Sequence, residues 1–144
     1  MKLFVTICLL AVSVLQGAAQ NEIQDITTTL MKYIEGSTEG KPELLKEAFH
    51  PNLNLLYVKN DSLKVWSGKS YIESTKQGEP TGEAGKIISI DFENDAAVAK
   101  VEISHPESPR TYVDYFLLLK IEGGWTIINK AFTKRTSNKL IKSN

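Results

Sequence analysis

His50 has the most versatile side chain among the candidate site residues, because an imidazole titrates near neutral pH and can act as an acid or a base. It follows a predicted helix and directly precedes Pro51. The same position also suits a structural histidine whose ring bonds a backbone carbonyl at the end of a helix. We therefore expect His50 either to move a proton in a binding site or to mark the point where the chain leaves the helix.

Asp114 is the second candidate, because it lies within an apolar strand. A buried carboxylate without a partner is costly there. Asn129, Tyr57 or His50 could supply the hydrogen-bond donor that a buried Asp114 needs. The alternative is a structural aspartate that holds the sheet together or contributes to a dimer contact.

Asn129 is the third candidate, on the strand that follows. In strict alternation it shares a strand face with Trp125 and Ile127, whereas Lys130 and Lys134 lie on the other face and should meet water. This pattern predicts that Asn129 points inward. An inward amide could orient a ligand carbonyl or ring nitrogen, or it could satisfy a buried backbone group.

Several aromatic residues could line a pocket for a flat ligand, since aromatic side chains suit planar rings. The candidates for ligand binding are Tyr57, Trp66, Phe116 and Trp125, together with the amide of Asn129. Core packing explains most aromatic residues in a domain of this size, so we expect only one or two of them to face a cavity.

Composition and spacing disfavour other site types. His50 and His105 have no metal-ligand spacing, and Cys8 is the only cysteine, so neither a metal nor a cofactor is expected. The sequence has no Gly-x-Ser-x-Gly elbow for a nucleophilic serine and no glycine-rich phosphate loop between a strand and a helix. The 17 basic and 17 acidic residues include no lysine-rich run, which argues against nucleic-acid binding.

Residues 1–20 have the layout of a secretory signal peptide. Lys2 precedes a nearly continuous apolar run from Leu3 to Leu15, and small residues follow. The run is too short to span a bilayer, which takes about 20 residues, so a retained membrane anchor is the less favoured alternative. Cleavage near Ala19 or Gln20 would give a secreted or periplasmic protein with no stable membrane insertion.

The rest of the chain predicts a single domain over residues 21–134 and a polar C-terminal tail over residues 135–144. Apolar residues at helical spacing predict a first helix that stops near Gly36, a second after Pro42 and a third after Gly68. Runs in which apolar and polar residues alternate, or in which β-branched residues are frequent, predict strands. The predicted strands are residues 53–58, 63–66, 88–92 and 97–103, followed by a long hairpin over residues 111–134.

Short motifs then match a known superfamily in both order and spacing. They are Phe49-His50-Pro51-Asn52, Ile87 to Asp91, Ala96 to Val101, Asp114-Tyr115-Phe116 and Gly124 to Lys130. With these motifs the sequence resembles the nuclear transport factor 2-like superfamily, also called SnoaL-like. Within it, the chain looks most like the lumazine-binding branch of secreted bacterial proteins, over nearly all of residues 22–134.

The resemblance implies an α+β fold in which a strongly curved antiparallel sheet wraps over N-terminal helices to form a cone, the cystatin-like arrangement. It also implies a homodimer formed through the open sheet face, and it places His50 near the mouth of the cone. The superfamily includes isomerases, dehydratases, cyclases and transport adaptors, so the fold alone implies no reaction.

Three functions follow as hypotheses. The first is a secreted or periplasmic module that holds a small apolar or planar ligand in the cone and catalyses nothing. The second is an isomerase or dehydratase in which His50 moves a proton and Asp114 orients it or acts as a partner base. The third is a protein-interaction or dimerisation module that uses the outer sheet face.

Overall fold

The computed structural model describes the backbone of residues 2–136 and the side chains of residues 20–135. Most of the predicted C-terminal tail therefore lies outside the described residues. Three helices and six strands follow in the order α1 Lys2–Thr38, α2 Pro42–Ala48, β1 Phe49–Lys59, β2 Ser62–Ser67, α3 Gly68–Ser74, β3 Ala84–Glu93, β4 Ala96–Ser104, β5 Arg110–Ile121 and β6 Gly124–Thr136. No helix in this described part of the chain has the length and apolarity needed to cross a membrane.

All six strands form one curved sheet in the order β2-β1-β6-β5-β4-β3. Neighbours are antiparallel except β1 and β6, which run parallel. The sheet does not close, because β2 and β3 remain at its edges. The helices lie on its inner face, where apolar side chains from both layers form the core. The predicted α+β fold class is confirmed.

The first helix ends two residues beyond the predicted stop at Gly36, at Thr38. Gly40 follows with a φ of +64° and reverses the chain. Gly36 has a packing role, since a Cβ atom placed there would lie 2.7 Å from the Leu45 Cγ atom of α2. Its missing side chain therefore lets α1 and α2 approach each other closely.

The parallel pairing of β1 with β6 joins the β1–β2 hairpin to the four strands that follow. Phe49 lies opposite Ile127, but Asn54 lies opposite Asn129, so the register shifts between these two pairs. The contact between β1 and β6 was not predicted from the sequence, because the two strands are far apart along the chain and no local pattern specifies it.

A β-bulge in β6 overturns the predicted facing of its residues. Leu118 pairs with Ile127 and Leu117 with Asn129, which leaves Ile128 as an extra residue. Beyond the bulge the alternation is inverted. Lys130 therefore faces inward and is 5% exposed, and Asn129 lies on the outer face opposite the exposed Leu117. The predictions of an inward Asn129 and a solvated Lys130 were wrong.

Candidate ligand cavity

A cavity of about 490 Å³ opens between the inner face of the sheet and the helices. Its floor is formed by Tyr33 of α1, Asp114 of β5 and Lys130 of β6, and its walls include Trp66, Tyr71, Tyr112 and Phe132. We call Tyr33, Asp114 and Lys130 the floor triad. The volume lies in the range of about 300–1,000 Å³ that is usual for small-molecule sites.

The floor triad is a closely bonded cluster. The Tyr33 hydroxyl donates to Asp114 Oδ2 at 2.5 Å, and Lys130 Nζ donates to the Tyr33 hydroxyl oxygen at 2.6 Å. Lys130 Nζ also lies 3.0 Å from Asp114 Oδ2. All three residues are buried, with Tyr33 and Asp114 each 1% exposed. Asp114 thus has the donors that its burial requires, although neither is one of those expected from the sequence.

Opposite charges compensate each other within the floor triad. A lone buried ammonium or carboxylate would be strongly destabilising, whereas a hydrogen-bonded pair is tolerated. Burial raises the pKa of the Tyr33 hydroxyl well above its usual value, and the nearby Tyr71 and Asp114 add to this effect. Tyr33 therefore stays protonated at neutral pH and can donate to the carboxylate.

The ammonium group of Lys130 is surrounded by aromatic faces. Lys130 Nζ lies 4.7 Å from the ring centre of Tyr33, 5.4 Å from that of Tyr71 and 5.3 Å from that of Phe132. The ring of Phe116 lies 5.9 Å away. Cation–π attraction at these distances contributes further to holding a buried cation.

Asp114 retains one unused acceptor. Its Oδ1 atom is buried and has no hydrogen-bond donor within the described part of the chain. Because Asp114 lines the cavity, a ligand with an N–H or O–H group is a suitable partner for this oxygen. The floor can therefore offer a cation, a phenolic hydroxyl and a carboxylate oxygen to one ligand.

The opening of the cavity is bordered by the segment that joins α3 to β3, residues 75–83, which we call the mouth segment. Backbone hydrogen bonds of 2.8 Å tie it to the end of α1, from Thr81 N to Thr38 O and from Gly78 N to Gly40 O. It carries the exposed ion pair of Lys76 and Glu79, whose charged atoms are 3.1 Å apart. The entrance is thus polar, whereas the walls behind it are aromatic.

His50 does not line this cavity. It is partly exposed at the start of β1, and its Nδ1 atom accepts a hydrogen bond from the backbone N–H of Asn52 at 3.2 Å. This bond differs from the expected one, in which the ring would have bonded a backbone carbonyl at the end of the helix. The structure does not bring His50, Asp114 and Asn129 together.

The four aromatic candidates occupy different surroundings. Trp66 lies in the cavity wall, and Tyr57 lines an adjoining cavity that shares Trp66, Tyr112 and Phe132 with the first. Phe116 is packed in the core.

Trp125 is also in the core, and its Nε1 atom donates to Glu22 at 2.7 Å. Glu22 additionally binds Lys120. Bonds from Lys120 and Trp125 lower the pKa of the Glu22 carboxyl. This network ties α1 to the end of the β5–β6 hairpin, so the Trp125 side chain has a structural role.

Three residues of the cavity were missed by reasoning from the sequence. Tyr33 follows Ile26 and Leu30 on the apolar face of α1, where its hydroxyl was the available signal, since a buried phenol needs a partner. Lys130 was assigned to the outer face because the bulge was not recognised. Tyr112 was not considered as a site residue, although it lies two residues before Asp114 and alternation places it on the same strand face.

A metal site is not present in the described residues, since no group of three or more His, Cys, Asp or Glu side chains converges there.

Several known proteins are similar to this chain over most of its length. The aldolase FrzH of Cladobotryum sp. is 24% identical over 115 residues, which are 78% of this chain and 90% of that protein. An NTF2-like protein of unknown function from Shewanella baltica OS155 is 26% identical, with a TM-score of 0.70. Its structural match covers 81% of this chain and 96% of that one.

An NTF2-like protein of unknown function from Methylobacillus flagellatus KT is 29% identical, with a TM-score of 0.69. That match covers 81% of this chain and 94% of the other. The model of the family described as "Putative lumazine-binding" matches residues 21–133, nearly the whole predicted domain. The chain therefore belongs to this lumazine-binding family, within the NTF2-like superfamily.

Proposed function

We propose that this protein is a binding module for a small, planar organic molecule, which it holds in the cavity above the floor triad. The proposal rests on one observation. The cavity of about 490 Å³ has aromatic walls, and its floor holds a buried cation, a phenol and a carboxylate oxygen that has no hydrogen-bond donor among residues 20–135. Enclosed apolar walls with a few convergent polar groups are typical of ligand sites.

The cavity chemistry favours a planar heterocycle with both carbonyl and N–H groups. Trp66 and Tyr71 lie edge to face with ring centres 5.1 Å apart and offer apolar contact. A ligand carbonyl could accept from Lys130, while a ligand N–H could donate to Asp114 Oδ1. A lumazine ring has both kinds of group, which agrees with the name of the family.

Calorimetric titration with 6,7-dimethyllumazine tests this proposal. We expect saturable binding, and we expect Trp66→Ala to weaken it about tenfold, which corresponds to about 1.4 kcal/mol. Tyr115→Ala is the matched control, because Tyr115 is an exposed aromatic residue on the outer face. Absence of binding, or equal weakening by both variants, would contradict binding in this cavity.

A second candidate function is catalysis, with the same cavity as the active site and a carbonyl compound as the substrate. It is favoured by the floor triad, which brings a lysine, an aspartate and a tyrosine together, and by the similarity to an aldolase. His50 has no part in this candidate because it lies outside the cavity. Turnover of methodol, a fluorogenic retro-aldol substrate, that is lost in Asp114→Asn and kept in His50→Ala would support it.

We also propose that the protein forms a homodimer through the outer face of the sheet. Val98, Tyr115 and Leu117 are each at least 40% exposed there and border a shallow apolar groove that includes Asn129. Asn129 Oδ1 is buried and has no donor within residues 20–135, so a partner subunit could supply one.

Export with removal of the first 19 or 20 residues is proposed as well, giving a secreted or periplasmic protein. Gln20 and Asn21 are exposed, whereas Glu22 bonds to Lys120 and Trp125. Cleavage after Ala19 or Gln20 would thus keep the bonds of Glu22 that attach α1 to the sheet. The intact mass of the exported protein would identify the cut, and an uncut chain would contradict the proposal.

A further inference from the structure

We propose that Lys130 is a nucleophile that forms an imine with an aldehyde or ketone ligand in the cavity. The inference rests on the proposed function, because it requires small molecules to enter this space. It goes further by assigning a covalent step and a substrate class, namely carbonyl compounds with an apolar or aromatic substituent.

The position of Lys130 distinguishes it from the other lysines. It is the one buried lysine within residues 20–135, and it lines the cavity together with Asp114 and Tyr33. Lys69 and Lys76, by contrast, have side chains that are 82% and 75% exposed. A carbonyl ligand that lies between the aromatic walls would be held beside Lys130 Nζ, and such positioning accelerates attack by a neighbouring nucleophile.

Asp114 provides the proton transfer that this step requires. An ammonium group is not nucleophilic, so Lys130 must first release a proton, and Asp114 Oδ2 lies 3.0 Å from its Nζ atom. The carboxylate is therefore within direct reach of the proton that the ammonium must release. The neutral amine can then attack the carbonyl carbon.

The atoms and charges of the step balance without any further reactant. The nitrogen of Lys130 bonds to the carbonyl carbon, and the π electrons move to the oxygen. One of the two protons on the nitrogen then passes to this oxygen, which becomes the hydroxyl of a neutral carbinolamine. Asp114 returns its proton to that hydroxyl, which leaves as water. The product is a protonated imine beside a carboxylate, so the charge of the original ion pair is kept.

Tyr33 is placed to assist as a positioning residue. Its hydroxyl accepts a hydrogen bond from Lys130 Nζ at 2.6 Å and donates to Asp114 at 2.5 Å. It therefore holds the amine and the carboxylate in one geometry. The ring of Tyr33, together with those of Tyr71 and Phe132, would favour the cationic imine as it favours the ammonium.

Reductive trapping tests the proposal in the wild-type chain. The protein is incubated with benzaldehyde and sodium cyanoborohydride at neutral pH, and peptide mass spectrometry gives the alkylation rate of each lysine in one sample. Because positioning in a cavity raises the effective concentration of a bound reactant, we expect Lys130 to react at least about tenfold faster than the exposed Lys69. A rate equal to or below that of Lys69 would overturn the imine.

Two variants separate the covalent step from simple binding. Lys130→Arg keeps the positive charge but cannot form an imine, so it should abolish trapping at this position and leave the alkylation rate of Lys69 unchanged. Tyr33→Phe should slow trapping at Lys130 about tenfold, as expected when the hydrogen bonds that position the amine beside the carboxylate are lost, and leave the rate at Lys69 unchanged. An unchanged rate at Lys130 would remove the role of Tyr33.

The two proposals fail in different ways. Lumazine binding without selective alkylation of Lys130 would overturn the imine and support the binding module, with Lys130 acting as a fixed cation. Selective alkylation without lumazine binding would support the imine and overturn the lumazine-like ligand. Loss of both results would overturn both proposals.

Discussion

At the scale of single residues, the central feature is a charged pair in the protein interior, where an unpaired charge is strongly destabilising. Lys130 and Asp114 are 5% and 1% exposed, and their burial is stabilising only as long as each keeps its partner. Replacing a buried ion pair by apolar residues of similar volume often costs little stability, which favours a role of the floor triad in ligand chemistry.

Removing one member of the Lys130–Asp114 pair should therefore destabilise the folded protein. Lys130→Met keeps the aliphatic stem but leaves the Asp114 charge uncompensated, so the free energy of unfolding should fall by about 3–5 kcal/mol. The triple variant Lys130→Met/Asp114→Leu/Tyr33→Phe removes every polar group of the triad and should regain most of this loss. Urea denaturation measures both, and Lys64→Met, at an exposed position, is the control.

A loss of less than about 1 kcal/mol in Lys130→Met would contradict the view that the pair is desolvated, since surface ion pairs have values in that range. A triple variant less stable than the single variant would show that packing at the cavity floor, and not charge, sets the cost.

Tyr33 should make stability depend on pH in the alkaline range. In the folded protein the pKa of the Tyr33 hydroxyl is raised above 10.0, the usual value for tyrosine. Above about pH 10 the unfolded chain therefore releases a proton that the folded protein retains. The stabilisation is complete below the unfolded pKa and is lost as the pH rises towards the folded value. Denaturation from about pH 8 to about pH 11 should show a steeper decline for wild type than for Tyr33→Phe.

Parallel profiles for the two proteins would contradict the raised pKa. The comparison isolates Tyr33, because the other ionisable groups are shared by both chains.

At the scale of elements, close approach between helices and sheet sets the shape of the cavity. Gly36 allows α2 to pack directly on α1, and the bulge at Ile128 turns Lys130 to the inner face. The mouth segment is attached to the end of α1 by backbone hydrogen bonds. Small local features of this kind decide which side chains reach the cavity.

Gly36→Ala separates helix propensity from packing. In an isolated helix the change should stabilise by about 1 kcal/mol, but here the new Cβ atom would lie 2.7 Å from Leu45 Cγ. We therefore expect a net destabilisation of about 1–3 kcal/mol, the usual cost of overpacking, measured by urea denaturation. Thr28→Ala on the exposed face of the same helix should stay within about 0.5 kcal/mol of wild type; a stabilised Gly36→Ala would contradict the close packing.

At the scale of the whole molecule, the two faces of the sheet have separate roles. The inner face packs on the helices and forms the cavity, while the outer face presents Val98, Tyr115 and Leu117 to solvent. An apolar surface of this kind is a common site of association. It lies on the opposite side of the sheet from the floor triad, so association and ligand binding can be tested independently.

Leu117→Glu should convert the proposed homodimer to a monomer, because a charge would be buried at the centre of the interface. Sedimentation velocity measures the change in mass. Leu63→Glu is the matched control, because Leu63 is an exposed leucine of the edge strand β2, and it should leave the dimer intact. A wild-type chain that remains monomeric at high concentration would contradict the dimer.

The sequence predicted much of the architecture correctly because its signals are local. Apolar periodicity located the helices and strands, and the order of the motifs identified the superfamily that the family match confirms. Asp114 was also recognised as a residue of interest, since a carboxylate in an apolar strand needs a partner wherever that partner lies.

The tertiary structure decided which side chains meet. Tyr33, Asp114 and Lys130 come from three separate elements, so their contact depends on the packing of α1 against the sheet. The bulge at Ile128 shifts the alternation of β6 by one residue, and such a shift exchanges the two faces of a strand. The bulge therefore places Lys130 in the cavity and Asn129 on the opposite face of the sheet. By itself the sequence determined the elements and their family, and packing between distant elements determined the site.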